Sequence, residues 1–185
     1  MKFFSGFCLE NEESLFSSFV ENDLEYDVVG FSYGAILALE YCLNADSRID
    51  RLKLLSPAFF GDKSEKYKTF QLTAFVKNAS AYKEAFFANM QKPHDTDKLI
   101  DLSLYHSTAS LEVQKKQLEK LLFFEWKVED LQTLKEKGIL IEVYLGKNGH
   151  IVNANKARDF FLSSPVCADV YFLNHGNHLL KWAQN

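Results

Sequence analysis

Cysteine is scarce and badly placed for pairing. Cys8, Cys42 and Cys167 are odd in number and far apart, with no CxxC step, so no disulfide framework or zinc site is implied. Long apolar runs are absent; none approaches the roughly 20 residues that a membrane-spanning helix needs. Positive charge is not in excess either. The 21 Lys and Arg against 25 Asp and Glu leave a net charge of −4, which excludes the basic field of a general nucleic-acid binder. Met1-Lys2-Phe3-Phe4 begins like an export signal, but Glu10, Glu12 and Glu13 follow too soon to leave an apolar region. A cytoplasmic location is therefore expected. No motif for a metal or cofactor stands out, and none is expected.

Bulky apolar residues are abundant. The chain is 47% hydrophobic, and 17 of its 185 residues are phenylalanine, enough for a single domain with a substantial core. Short apolar runs alternate with helical patterns, the signature of strands joined by crossover helices. Strands are expected at 1–4, 26–30, 51–56, 139–145 and 168–173. Helices are expected at 14–20, 33–43, 131–137 and 154–162, with Gly138 as a stop before the fourth strand. Consecutive apolar positions in the strands point to a parallel sheet covered on both faces. Cys42, inside an apolar helix, reads as a small buried filler, and Cys8, near a glycine turn, as a candidate reactive thiol.

Residues 61–125 break the rhythm. Phe70, Phe75, Tyr82, Phe86 and Phe87 recur at helical spacing, Pro93 interrupts, and Leu111, Leu118, Leu121 and Leu122 mark a further amphipathic helix. Ordinary connections between helix and strand take only about 2–6 residues. The domain division expected is thus a core of 1–60 and 126–185 with a helical lid inserted at 61–125.

The most informative stretch is Asp27-Val28-Val29-Gly30-Phe31-Ser32-Tyr33-Gly34-Ala35. A serine between two glycines, after a strand and before a helix, fits a nucleophile elbow. The sharp turn strains the serine, and glycines at the flanking positions avoid collisions with the neighbouring backbone. Such a turn exposes the hydroxyl at the carboxyl edge of the sheet, beside a helix N-terminus that favours developing negative charge. A nucleophilic serine needs a base. His178 follows the last strand through a glycine-containing loop and precedes a short apolar segment read as a helix. It is preferred to His175; His94, His106 and His150 read as loop or lid residues.

The segments FFSGFCLENE, VVGFSYGA, LLSPAFF, VYLGKNGHIVNANKARDFF and FLNHGNHLL together resemble the α/β-hydrolase superfamily. The fold this implies is a trimmed α/β-hydrolase, with a sheet of about five parallel strands, helices on both faces and a helical lid. Ser5-Gly6-Phe7 resembles the family's His-Gly-aromatic turn, with serine in place of histidine. By that match the backbone N–H groups of Phe7 and Tyr33 form the oxyanion hole. In Gly146-Lys147-Asn148-Gly149-His150-Ile151-Val152, Gly149 stands where the family places its aspartate. The partner of His178 must then come from elsewhere. Asp62, beyond the third strand, is favoured, and Asn148 is the uncharged alternative.

Within the superfamily, the short chain and aromatic-rich lid resemble the small esterases of biotin synthesis (BioV type), which cleave the methyl ester of pimeloyl-[acyl-carrier protein]. This implies a serine carboxylesterase, a monomer, whose partner is an acyl carrier protein bearing a methyl-esterified chain. Lys63, Lys66 and Lys68, or Lys115, Lys116 and Lys120, are the cations expected to meet an acidic carrier. An acyl thioesterase uses the same machinery, and a hydrolase-like binding module without turnover is the non-enzymatic reading, supported by Gly149 and Ser5.

Overall fold

A single sheet of five parallel strands, in the order β1-β2-β3-β4-β5, organises the molecule. The strands are β1 (Lys2–Phe4), β2 (Asp27–Phe31), β3 (Arg51–Leu55), β4 (Leu140–Gly146) and β5 (Asp169–Leu173). The computed structural model describes residues 1–20, 25–93, 99–163 and 168–181; Cys167 and His94 lie outside them. Each strand falls within about one residue of its sequence reading, the ordinary uncertainty of an element's end.

The helices are α1 (Ser17–Val20), α2 (Tyr33–Asn44), α3 (Glu65–Lys77), α4 (Ala79–Met90), α5 (Leu111–Phe123), α6 (Val128–Glu136) and α7 (Ala154–Ser163), with 3-10 helices at Glu12–Phe16 and Leu102–Tyr105. Side-chain caps explain several starts: Ser64 accepts from the Tyr67 N–H, Asn78 from Ala81 and Ser110 from Val113. Each such cap stabilises its helix by about 1 kcal/mol. Gly138 ends α6 at φ 77°, a left-handed conformation that costs glycine nothing.

Strand alternation divides the core into two layers. Val28, Leu52, Leu54, Val143 and Leu145 pack against α2, α6 and α7 through Ala38, Leu39, Leu131, Leu134 and Phe161. Helix α2 is buried nearly all round, with Ile36, Leu39 and Cys42 inaccessible, as its uniformly apolar sequence requires. Full burial of each such aliphatic side chain contributes about 1.5–3 kcal/mol. On the other face, Phe31 meets Phe16 with ring centroids 4.5 Å apart, and Phe19 meets Tyr144 at 5.3 Å.

That second face carries helices as well, the 3-10 helix Glu12–Phe16 and α1. Among the described residues, the short helices between β1 and β2 cover only part of it. Over β4 and β5, Tyr171 stacks on Tyr144 at 4.6 Å and stays 44% exposed. The face is also polar, with Arg51 bridging to Glu142 at 3.1 Å and the Glu142 carboxylate accepting from the Tyr144 hydroxyl. Nor does a helix follow His178 among the described residues. Asn177 Oδ1 accepts the N–H groups of Leu179 and Lys181, and this side-chain capture holds the segment as a turn.

Between β3 and α6 the described chain holds helices α3, α4 and α5, and among the described residues it adds no strand to the sheet. The loop from β1 is laced to this region: Glu10 N–H donates to Tyr105 O, Ser107 N–H to Cys8 O, and Leu9 bridges antiparallel to His106.

Candidate active site

All five strands point their carboxyl ends at one edge of the sheet, and the elbow forms there. Ser32 has φ 52° and ψ −110°, a conformation costing on the order of 1–3 kcal/mol that persists only where surrounding structure enforces it. The enforcement is visible in its hydrogen bonds. The Ser32 N–H donates to Leu55 O at 2.9 Å, while Ser32 O accepts from Ala35 and Ala58, each at 3.1 Å. Trp126 donates its indole N–H to Ala58 O at 2.7 Å, fastening the loop after β3 against the elbow.

The flanking glycines are steric requirements. A Cβ at Gly30 would stand 2.3 Å from Gly34 O, and one at Gly34 would stand 1.9 Å from Phe4 O. The second contact is the more telling, because it docks the chain leaving β1 onto the first turn of α2. Positive φ also occurs nearby at Cys8, Ser56 and Leu180. Unfavourable backbone conformations thus collect along the edge that carries the hydroxyl.

His178 Nε2 lies 3.0 Å from Ser32 Oγ. That is the reach required between a base and its nucleophile. Both groups are inaccessible, at 1% exposure each. Asn177 holds the histidine turn in place: besides accepting from Leu179 and Lys181, it donates to Gln91 O at 2.9 Å. Sequence reading missed Asn177; the available signal was an asparagine in a glycine-containing loop, where its amide can bond to nearby backbone. His175 is exposed on the same loop.

Burial pushes the His178 pKa down to about 3. A neighbouring carboxylate would oppose that shift by favouring the imidazolium, and among the described residues none contributes. The structure does not bring Asp62 to His178. Asp62 sits in the turn before α3, where its carboxylate faces Lys63 at 3.5 Å and Lys156 at 3.8 Å. The carboxylate instead faces the ammonium of its neighbour in the chain and that of Lys156 on α7. Asn148 is exposed and bonds through its backbone to Gly176 O. Gly149 does lie beside the histidine, since a Cβ there would stand 3.2 Å from His178 N. A side chain at this position would stand against the histidine turn, and glycine supplies none.

Phe7 and Tyr33, the expected oxyanion donors, are both buried. Tyr33 opens α2, where N–H groups lack partners within the helix, and Phe7 follows the docked Phe4–Gly6 segment. The Phe7 ring meets Phe75 and Phe86 edge-on at 6.1 and 5.3 Å. Cys8 is buried and its thiol is pushed up to about 12, so it is not the reactive thiolate its glycine neighbourhood suggested. Beyond Phe86 lies a cavity of about 240 Å³ lined by Tyr67, Phe70, Tyr82, Leu122, His150 and Ile151 among others. This is slightly below the roughly 300–1,000 Å³ of most small-molecule sites. The Ser32 hydroxyl does not line it. Among the described residues, no group of three or more His, Cys, Asp and Glu is arranged to hold a metal ion.

No protein-family model and no curated protein matches the chain. Solved structures do match in fold. A hydrolase from Oleispira antarctica is 12% identical with a TM-score of 0.72, covering 97% of this chain and 85% of its own. The fold is that of the α/β-hydrolases. An esterase from Exiguobacterium antarcticum is 15% identical with a TM-score of 0.66, covering 89% of this chain. Naproxen esterase from Bacillus subtilis is 17% identical with a TM-score of 0.53, covering 94% of it. This chain spans only 64% and 61% of those two esterases. A sheet of five parallel strands with the elbow after its second strand is therefore a trimmed version of the fold.

Proposed function

We propose that this protein is a serine carboxylic-ester hydrolase working through a Ser32–His178 pair. The observation that carries the reading is the 3.0 Å contact between His178 Nε2 and Ser32 Oγ on a strained elbow. Ser32 attacks the ester carbonyl while His178 takes its proton, and the N–H groups of Phe7 and Tyr33 hold the oxyanion. The alcohol leaves with the proton returned by His178. Water, activated by the same imidazole, then releases the acid. Because Ser32 is inaccessible, the helical segment acts as a lid that must shift to admit substrate.

The finer reading is the methyl ester of pimeloyl-[acyl-carrier protein] as substrate, giving methanol and the free acyl acid in biotin synthesis. It is supported by the sequence resemblance and by an apolar cavity able to receive an acyl chain. Not every lysine first considered is available to a carrier protein. Lys68 is buried against Glu65 and the Phe123 ring, and Lys120 bonds Glu40. Lys63 faces Asp62, and the exposed Lys66, next to Tyr67 of the cavity, fits the part better. Mass analysis of methyl pimeloyl-carrier protein after incubation reads which bond is cut, so it also separates esterase from thioesterase.

One observation favours a second reading, a hydrolase-like module that binds without turnover. A base depressed to about 3 with no carboxylate beside it among the described residues takes a proton reluctantly. Hydrolysis of p-nitrophenyl butyrate decides between them. The enzyme reading expects turnover, and fluorophosphonate labelling of the wild type but not of Ser32→Ala. Absence of turnover at any ester overturns it.

A further inference from the structure

Glu12 opens the 3-10 helix Glu12–Phe16 and follows Glu10 in an acidic run, yet it is 0% exposed. Its Oε1 accepts the backbone N–H of Gly6 at 2.6 Å, a charge-assisted bond if ionised. Its Oε2 is buried with no hydrogen-bond partner. Ser5 also lies close enough to the carboxyl to favour its charged form, although burial outweighs this and raises the pKa. A buried carboxyl with one oxygen unsatisfied costs stability. The hydrolytic steps make no use of it.

Its placement supplies a use. The Ser5-Gly6-Phe7 segment is held on three sides. Phe4 O and Ser5 O press on Gly34, where a side chain would stand 1.9 and 2.6 Å from them. Gly6 lies against the Phe31 ring, 2.8 Å from where its Cβ would be. Glu12 grips the remaining side through the Gly6 N–H. Phe7 is the next residue, and its peptide N–H shares the edge with that of Tyr33.

We propose that Glu12 is a positioning residue, whose carboxyl fixes the Ser5–Gly6 backbone so that the Phe7 N–H faces the oxyanion formed at Ser32. This rests on the hydrolase reading above. Loss of one oxyanion donor costs about 10²–10³ in kcat. Displacing a donor without deleting it is expected to cost somewhat less, about 30-fold.

The test compares Glu12→Met, which fills the same space without an acceptor, with Glu12→Gln, which keeps an acceptor for Gly6. Both are assayed with p-nitrophenyl butyrate at matched folded fraction. Expected is a kcat about 30-fold lower for Glu12→Met with KM within about threefold, and Glu12→Gln within about threefold of wild type. Affinity for a trifluoromethyl ketone, whose adduct places an oxyanion in the same hole, should fall in parallel for Glu12→Met only. A merely structural carboxyl would not move that affinity in the folded protein. Wild-type kcat in Glu12→Met, or a loss confined to KM, overturns the proposal. If Glu12→Met does not fold, Glu12→Gln decides: retained kcat and ketone affinity support the role, and a hundredfold loss overturns it. A wild type no faster than Ser32→Ala overturns the hydrolase reading and this proposal with it; an active wild type equalled by Glu12→Met overturns this proposal alone.

Discussion

The two sides of the candidate site are built to different standards. On the elbow side, backbone packs against backbone so closely that glycine is the only residue that fits: Gly34 leaves 1.9 Å between a would-be Cβ and Phe4 O. On the far side, beside His178, Gly149 leaves 3.2 Å to the His178 nitrogen, a gap that a small shift of the neighbour would open for a side chain. The elbow glycines are thus demanded by geometry, whereas Gly149 is a vacancy of chemistry. One side fixes where the nucleophile and oxyanion donors stand. The other leaves the base buried and, among the described residues, without a carboxylate to stabilise its protonated form.

The comparison breaks first at the base. Replacing His178 with alanine is expected to lower kcat by at least about 10³-fold, in line with losses when a triad member is removed. His175→Ala should stay within about threefold, because that ring is exposed and forms no bond to Ser32. Stopped-flow or steady-state assay of both variants checks this, and equal losses would dissolve the distinction between them.

Gly34→Ala should act on the fold rather than on the chemistry alone. A methyl group that close to a carbonyl oxygen forces the β1 loop off α2, at a cost on the order of 3 kcal/mol. For a chain of this size that corresponds to a fall in Tm of roughly 6–12 °C. Thermal unfolding by circular dichroism measures it, and an unchanged Tm would show that the docking is soft.

The smallest effects sharpen the other side. Gly149→Asp places a carboxylate beside the His178 turn, which favours the imidazolium and so raises a pKa that burial holds near 3. The acidic limb of kcat/KM should move to higher pH, and kcat should rise by up to about tenfold as the base strengthens. Asp62→Asn should leave kcat within about threefold, since its carboxylate faces Lys63 and Lys156. A hundredfold loss at matched folded fraction would instead return Asp62 to the catalytic set.

Much of this was legible in the residues. Val28-Val29 before Gly30-Phe31-Ser32-Tyr33-Gly34 specifies strand, sharp turn and helix locally, because β-branched packing, glycine's missing Cβ and an apolar helix are properties of adjacent residues. The same holds for the five strands and for His178 after the final strand. Other features were not legible. Glu10, Glu12 and Glu13 told only against an export signal, and the turn that buries Glu12 depends on where Gly6 comes to rest. Asp62 reads as a free carboxylate near the right strand, and only its approach to Lys156, far along the chain, shows that it is taken.

The sequence by itself determined the order of strands and helices and which serine stands at the elbow, since these follow from periodicity, turn chemistry and steric limits over a few residues. Only the tertiary structure decided which carboxyls meet which partners, and that among the described residues the second sheet face is partly open and the base is buried without an acid. Those outcomes depend on distances between segments remote in sequence, where a shift of a few ångströms separates a paired charge from a solitary one.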